Sequence, residues 1–370
     1  MKGFLACVGI VLSVWGLQAL ADGINLKPAA FNNLPGWNTG NQLTSFQAFQ
    51  NSCQKIVANP SYKPFGLGDW NHVCKVALKQ QPQNVADARA FFEQYFIPMR
   101  VSDGKKTTGL FTGYYTPEVE GSLHQNAAYP VPIYGRPTDL VAITARGQTN
   151  YGRLVNGELT PLPTRADINT GALDNDAKPV LWLKSKVDRF FLQVQGSGVV
   201  QLDNGQMVQL VFDGKNGQPY TAIGHVLVDM GAIKQKDVSM QTIRAWLESH
   251  PDLADSVMDQ NASFVFFKVT DTTANPEPSG AAGVPLTPAR SLAVDKQYIP
   301  LGVPIWLETT VPEGKKLAPF RQLLVAQDTG SAIQGPIRGD VFWGVGAQAA
   351  AVAGPMQSKG QYWVLLPKVG

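Results

Sequence analysis

From Gly109 onward the apolar residues come in short or alternating runs: LVAITA, VLWLKS, RFFLQVQGSGVVQL, QMVQLVF, FVFFKV, VPIWLETT, RQLLVAQDT and QYWVLLPK. Each is cut off by Gly, Pro or Asn. Nothing restricts the fold more. Runs of this length and spacing predict strands in a barrel or compact sheet. The 36 glycines and 26 prolines are spread along the chain rather than gathered into tracts, as many tight turns require. Two helices are predicted within this region, at about 224–233 and 239–250, with Ser239 placed to cap the second. The segment DTTANPEPSGAAG, 271–283, is poor in large apolar residues and reads as a loop or domain junction.

Before Gly109 the period changes. FQAFQNSCQKIVA, WNHVCKVALK and ADARAFFEQYF place apolar residues three or four apart, the spacing of short packing helices. With 44% hydrophobic residues in 370, the chain can bury a large core, and its length fits two domains better than one. The formal charge is only +3, with no long Lys/Arg run and no zinc-finger spacing, which argues against a nucleic-acid partner. An anionic polymer stays compatible with it.

Lys2, the apolar run Phe4 to Leu20 and the small-x-small Ala19-Leu20-Ala21 predict a signal peptide over 1–21. A membrane anchor is the alternative, disfavoured by Ser13, Gln18 and the cleavage pattern. Cys7 follows Lys2 too closely for an apolar region to precede a lipobox. Removal of the leader would leave Cys53 and Cys74 as an even pair in an oxidising compartment, where a disulfide is the default and two buried thiols the alternative.

His72, His124, His225 and His250 show no metal-binding spacing, so no metal site is read. GSG at Gly196–Gly198 is not a nucleophile elbow, and GVGAQA from Gly344 has too little chain after it for a dinucleotide unit. Three carboxylates remain: Asp295 in RSLAVDKQYIPLG, Asp328 in LLVAQDTGSAIQG and Asp340 in PIRGDVFWG. Asp295 reads equally well as a turn residue, and Asp328 as a buried structural group. Asp340 precedes Val341, Phe342 and Trp343, and apolar neighbours favour a protonated carboxyl able to donate to a leaving oxygen. Arg338 would pull the other way. Asp328–Ser331 also spells the D-T-G-S of pepsin-like proteases, but those need a second such carboxylate, and none is present.

These aspartates, with LFTGYYTPEVEGS, FDGKNGQPYTAIGHVL, SMQTIRAWLESH, NASFVFFKV, GVPLTPARSLAVD, IPLGVPIW and GDVFWGVG in order, resemble the membrane-bound lytic murein transglycosylase A family, with its C-terminal 3D domain. The resemblance runs from about Gly109 to the end. It implies a mainly β fold with peripheral helices: a double-psi β-barrel plus a second, smaller inserted β domain, with a groove between them. Carried onto this chain, the barrel takes 22–119 and 270–370 and the insert 120–269.

The implied activity is cleavage of the β-1,4 bond between N-acetylmuramic acid and N-acetylglucosamine of peptidoglycan without water, leaving 1,6-anhydromuramic ends. Asp340 is then the acid and base, with Asp328 and, more weakly, Asp295 in support. FTGYYTP and QVQGSG are expected along the groove, nominating Thr112, Tyr114, Tyr115, Gln195 and Ser197, with Phe342 and Trp343 beside the acid. No cofactor is implied. The partner is the glycan strand itself, the chain a monomer in the periplasm, with proteins of wall synthesis or division left open. Some relatives carry an N-terminal lipid at the outer membrane, and this sequence departs from them in lacking a lipobox. A barrel that binds peptidoglycan without cutting it is the non-enzymatic alternative.

Overall fold

The computed structural model describes residues 23–145, 148–270, 278–314, 316–330 and 332–368; the expected signal peptide, residues 271–277 of the expected junction and Ser331 lie outside them. The described chain begins with β1 (Asn25–Pro28), α1 (Gln42–Ala58), α2 (Trp70–Lys79), α3 (Val85–Tyr95), β2 (Phe96–Ser102) and β3 (Gly109–Thr116). Across Pro117 it passes directly into β4 (Glu118–Ser122), β5 (Val131–Tyr134), β6 (Val141–Ala145), β7 (Gln148–Val155) and β8 (Glu158–Thr160). Next come α4 (Arg165–Asn169), β9 (Pro179–Leu183), α5 (Lys186–Gln195), β10 (Ser197–Leu202) and β11 (Met207–Lys215). Helices α6 (Ile223–Asp229), α7 (Met240–Ser249) and α8 (Pro251–Met258) then lead to β12 (Val265–Thr270). The last part holds β13 (Ser291–Val294), β14 (Pro304–Glu313), β15 (Lys316–Asp328), β16 (Arg338–Val345), α9 (Gly346–Ala353) and β17 (Gln357–Pro367).

Six of these strands close on themselves. The ring runs β3, β17, β14, β15, β13, β16 and back to β3, with β13:β15 and β16:β3 parallel and the other pairs antiparallel. Closure leaves no free edge within the ring. β2 extends the sheet from β17, and β1 from β2.

The helices before the barrel form where side chains cap them and apolar faces find a partner. Asn41, Asp69 and Asn84 accept from the first-turn amides of α1, α2 and α3. Phe46, Phe49, Cys53 and Ile56 recur at helical spacing along α1 and are buried against the barrel in one core with Phe91, Phe92, Phe96 and Trp306. Cys53 on α1 and Cys74 on α2 form a disulfide, with Cα atoms 4.9 Å apart.

The second sheet has the order β12-β11-β10-β4-β9-β5 and its own core of Ile133, Leu181, Leu183, Leu192, Val200, Leu210 and Phe267. Helices α5 to α8 bury a separate cluster that includes Phe190, Phe191, Leu227, Leu247 and Met258. A three-stranded sheet, β6-β7-β8, stands beside it. The fold is therefore mainly β with peripheral helices, a closed barrel and a second sheet domain, as the sequence predicts.

One local reading is corrected. RFFLQVQGSGVVQL is not a single extended run: its first half is α5 and only Ser197–Leu202 is a strand. Ser185 caps the helix by accepting from the amides of Val187 and Asp188, and Val187, Phe190 and Phe191 pack on one face. Gly196, at φ +78°, turns the chain out of the helix in a conformation that costs other residues strain. Helices α8 and α9 are not foreshadowed. α9 is Ala-rich and occupies the stretch whose glycines mimic a dinucleotide loop.

Candidate active site

A cleft of about 830 Å³ is lined by barrel residues on one side and residues of the second sheet and its helices on the other. Asp295, Asp328 and Asp340 all lie on the barrel side, at the ends or middle of β13, β15 and β16. Parallel pairing of β16 with β3 sets Asp340 directly opposite Thr112. That register brings together two residues far apart in sequence.

The Thr112 hydroxyl donates to Oδ1 of Asp340 at 2.7 Å and accepts from Nη2 of Arg338 at 2.9 Å. Arg338 also donates to the carbonyls of Gly339 and Leu110. Among the described residues it makes no ion pair with Asp340. The guanidinium thus reaches the acid through a hydroxyl. Burial pushes the Asp340 carboxyl up to about 6, against the opposing pull of the Thr112 hydrogen bond and the Arg338 charge, with Asp328 adding to the rise. The carboxyl is therefore largely protonated in mildly acidic solution and ionises readily above it.

Asp328 is held differently. Its Oδ2 accepts from the Tyr114 phenol at 2.8 Å, and its Oδ1 from the amides of Ala281 and Thr329 at 2.9 and 2.8 Å. Burial raises its pKa, and these donors oppose the rise. Tyr114 is held well above the ordinary phenol range by its own burial and then by Asp328, so it stays a donor. Its ring packs against Phe342 at 5.3 Å. Asp295 accepts from the amides of Gln297 and Gly335, tying the loop after β13 to the segment before β16.

On the opposite wall, Gln195 and Ser197 line the cleft where α5 gives way to β10. Gln195 Oε1 accepts from the amide of Tyr115 at 3.2 Å, linking that wall to β3. Beneath it lies a buried staple absent from the sequence reading. Arg165, 2% exposed, donates to the carbonyls of Asn261 and Ser263 and to Gln193, between the rings of Phe190 and Phe264. Burial lowers its pKa to about 9. Gln193 passes the link on to the carbonyl of Val265, locking α5 to β12.

Three nominated residues sit elsewhere. Side chains alternate along a strand, so Tyr115 points away from Thr112 and Tyr114 and packs with Ala349 and Ala353 of α9. Trp343 alternates with Phe342 in the same way. Its ring meets Phe320 at 5.5 Å and its indole N–H donates to the Met356 sulfur. Phe342 is 1% exposed, in a cluster with Tyr114, Leu286, Ala293 and Ile333. None of the three lines the cleft; Phe342 packs under Tyr114 rather than beside a substrate. Conversely Asn150, Phe212, Tyr220 and Lys296 line it and were not foreseen. A signal for Phe212 exists in the glycine two positions on, which marks a break in β11.

Residues 110–268 match the MltA specific insert domain and residues 290–366 match the 3D domain. Over 94% of this chain and 89% of the relative, it is 35% identical to the membrane-bound lytic murein transglycosylase A of Escherichia coli K12. The chain belongs to the membrane-bound lytic murein transglycosylase A family. Among solved structures, the membrane-bound lytic murein transglycosylase of Agrobacterium tumefaciens is 32% identical, with TM-score 0.80 over 93% of this chain and 98% of that one. Escherichia coli MltA with bound chitohexaose is 29% identical, with TM-score 0.68 over 95% and 97%. The MltA insert match spans β3 to β12, beginning on the strand of Thr112, and the 3D match spans all three aspartates. Apart from Ser279, Gly280 and Ala281, the cleft-lining residues therefore fall inside the matched regions.

Proposed function

We propose that this chain is a lytic transglycosylase that cuts the β-1,4 bond between N-acetylmuramic acid and N-acetylglucosamine of peptidoglycan and leaves a 1,6-anhydromuramic end. The observation that carries the reading is that, of the three carboxyls lining the cleft, Asp328 and Asp295 are tied down by backbone amides, whereas Asp340 is held, among the described residues, only by the Thr112 hydroxyl and is raised by burial to about 6, in a family of murein transglycosylases. As the acid, Asp340 gives its proton to the departing glycosidic oxygen. The resulting carboxylate then takes the proton of the muramic C6 hydroxyl as that oxygen bonds to C1 of the same sugar. No second molecule has to be captured, and well-oriented internal attack lowers a barrier by about 7 kcal/mol or more. A hydrolase would need a second carboxylate to handle water or a covalent intermediate. Asp328 is engaged by three donors and serves to fix Tyr114 and the Ala281 loop around the acid.

The barrel (22–119 and 270–370) and the insert (120–269) act as the two jaws on a glycan strand, a division supported by the separate sheets on either side of Pro117. The enzyme works as an exported monomer. Its Cys53–Cys74 disulfide favours an oxidising compartment, and the membrane-bound relatives favour the periplasmic face of the outer membrane. The deciding experiment is mass spectrometry of digested sacculi. Products lighter by one water than hydrolysed muropeptides are expected from the parent enzyme and none from Asp340→Asn, with binding to sacculi retained. Reducing muramic ends would mean a hydrolase, and anhydro products from Asp340→Asn would remove Asp340 from the chemistry. Binding without any product from the parent would leave only a wall-binding module.

A further inference from the structure

Pleat alternation along β11 places Phe212 on the same side as Leu210, which is fully buried in the core of the second sheet. Phe212 is nevertheless 40% exposed and lines the cleft. The register breaks directly after it: Phe212 pairs with Phe267 of β12, but Phe266 pairs with Gly214, so one extra residue is accommodated. Gly214 sits at φ +131°, and a Cβ there would stand 2.7 Å from the Leu140 side chain. Bulges of this kind bend a strand and re-aim a side chain. The ring so delivered is held edge-on by Tyr151 of β7, at 5.9 Å and 78°. A second ring, Tyr220, lies on the same side of the cleft and is 41% exposed. Its segment is anchored by neighbours, with Gln218 donating to the carbonyl of Leu162 and the Thr221 amide to Asn261.

Exposing a large aromatic side chain forfeits the stabilisation its burial would bring, and a backbone irregularity that does so beside a polar cleft calls for a ligand with an apolar face. Pyranose rings in a β-1,4-linked glycan present C–H faces of that kind, which pack on aromatic rings while their hydroxyl and acetamido groups meet polar atoms around them. We propose that Phe212 and Tyr220 form a sugar-stacking platform on the second-sheet wall of the cleft, binding glycan units away from the bond cut at Asp340. The inference rests on the glycan-cleaving reading of the cleft. It places sugar contact not on Tyr115 and Trp343, which pack against α9 and the barrel core, but on two rings that line the cleft. These are positioning residues, and their contribution is to binding a strand rather than to the chemical step.

The test uses the whole protein and two measurements. Calorimetric binding of an N-acetylglucosamine hexamer is expected to weaken by about 3- to 10-fold in Phe212→Ala and in Tyr220→Ala, and to recover in Phe212→Trp. In digestion of purified glycan strands sorted by length, Phe212→Ala is expected to raise KM on long strands with kcat within about twofold of the parent. The penalty should shrink on the shortest strands that are still cut. Unchanged binding in both alanine variants would overturn the platform, and so would a fall in kcat that is equal at all lengths and not rescued by Trp. Binding can be read without turnover. A parent protein that binds the hexamer but forms no anhydro ends would thus fail the catalytic reading while still deciding the role of these rings.

Discussion

Thr112, Arg338 and Asp328 act on the Asp340 carboxyl from different sides, and their effects have opposite signs. Burial and the Asp328 charge favour the protonated form; the Thr112 hydroxyl and the Arg338 guanidinium favour the ionised one. If the neutral acid starts the reaction, kcat/KM for glycan cleavage is flat at low pH and falls as pH rises through about 6. Thr112→Val removes a donor to the carboxylate, so its falling limb is expected at higher pH than the parent's. Asp328→Asn removes a neighbouring negative charge, so its limb is expected at lower pH. Limbs that move together, or not at all, would show that another group governs the profile. Stability carries the same signature. Because the folded-state value lies above the ordinary 3.8, the folded chain binds more protons than the unfolded one between about 4 and 6, and stability falls as pH rises through that window. Asp340→Asn escapes this, so its Tm is expected to exceed the parent's near about pH 7 and to match it near about pH 4. At this scale Asp328 and Asp340 drew notice because uncharged residues flank them, whereas Asp295 is followed at once by Lys296 and read equally well as a turn residue. The partners of Asp340 were not, since a residue 228 positions away is brought to it by strand register alone.

Strands and helices were legible in proportion to how far local pattern decides them. The strands β12, β14, β15 and β17 coincide with uninterrupted apolar runs, and α7 begins where Ser239 caps it in a reciprocal pair with Thr242. α5 misled because its buried positions include the polar Arg189 and Gln193 and its apolar run resumes beyond Gly196 at Val199 and Val200 of β10, so a helix and a strand read as one segment. Tyr115 and Trp343 misled because a motif names neighbours in sequence, whereas a strand sends neighbours to opposite faces. β3 itself leaves little room: a Cβ on Gly113 would lie 2.7 Å from the Trp343 indole nitrogen and 2.8 Å from the Ala353 Cα. Gly113→Ala is therefore expected to lower Tm and also to reduce activity, because the backbone that carries Thr112 must shift. Between α1 and α2, the Cys53–Cys74 bond closes a loop of 21 residues in separation, which in a chain-entropy account stabilises the fold by about 3 kcal/mol. Replacing both cysteines with Ala is expected to lower Tm with kcat unchanged, the helices lying on the barrel away from the cleft-lining residues. A loss of kcat would mean that these helices reach the site.

At the scale of the molecule, a closed barrel with a second sheet was expected from the family motifs, and the change of period at Gly109 marked only where the leading helices give way to strands, while the composition of the cleft wall was not legible. That wall depends on a bulge and a buried arginine, each set by contacts between segments distant in sequence. The ring of six strands has one further property. Among the described residues β17 is its last strand and the only one that pairs with both β3 and β14, while β2 hangs from it as well. A chain ending at Met356 is expected to unfold without a cooperative transition and to yield no anhydro products, as measured by calorimetry and mass spectrometry. A sharp transition or product from that chain would show that the remaining strands hold the barrel. Every residue proposed for chemistry precedes β17, so the reactive set and the strand that clasps it are separate stretches of the chain. Loss of that one strand is therefore expected to disarm an enzyme that still carries every side chain its chemistry needs.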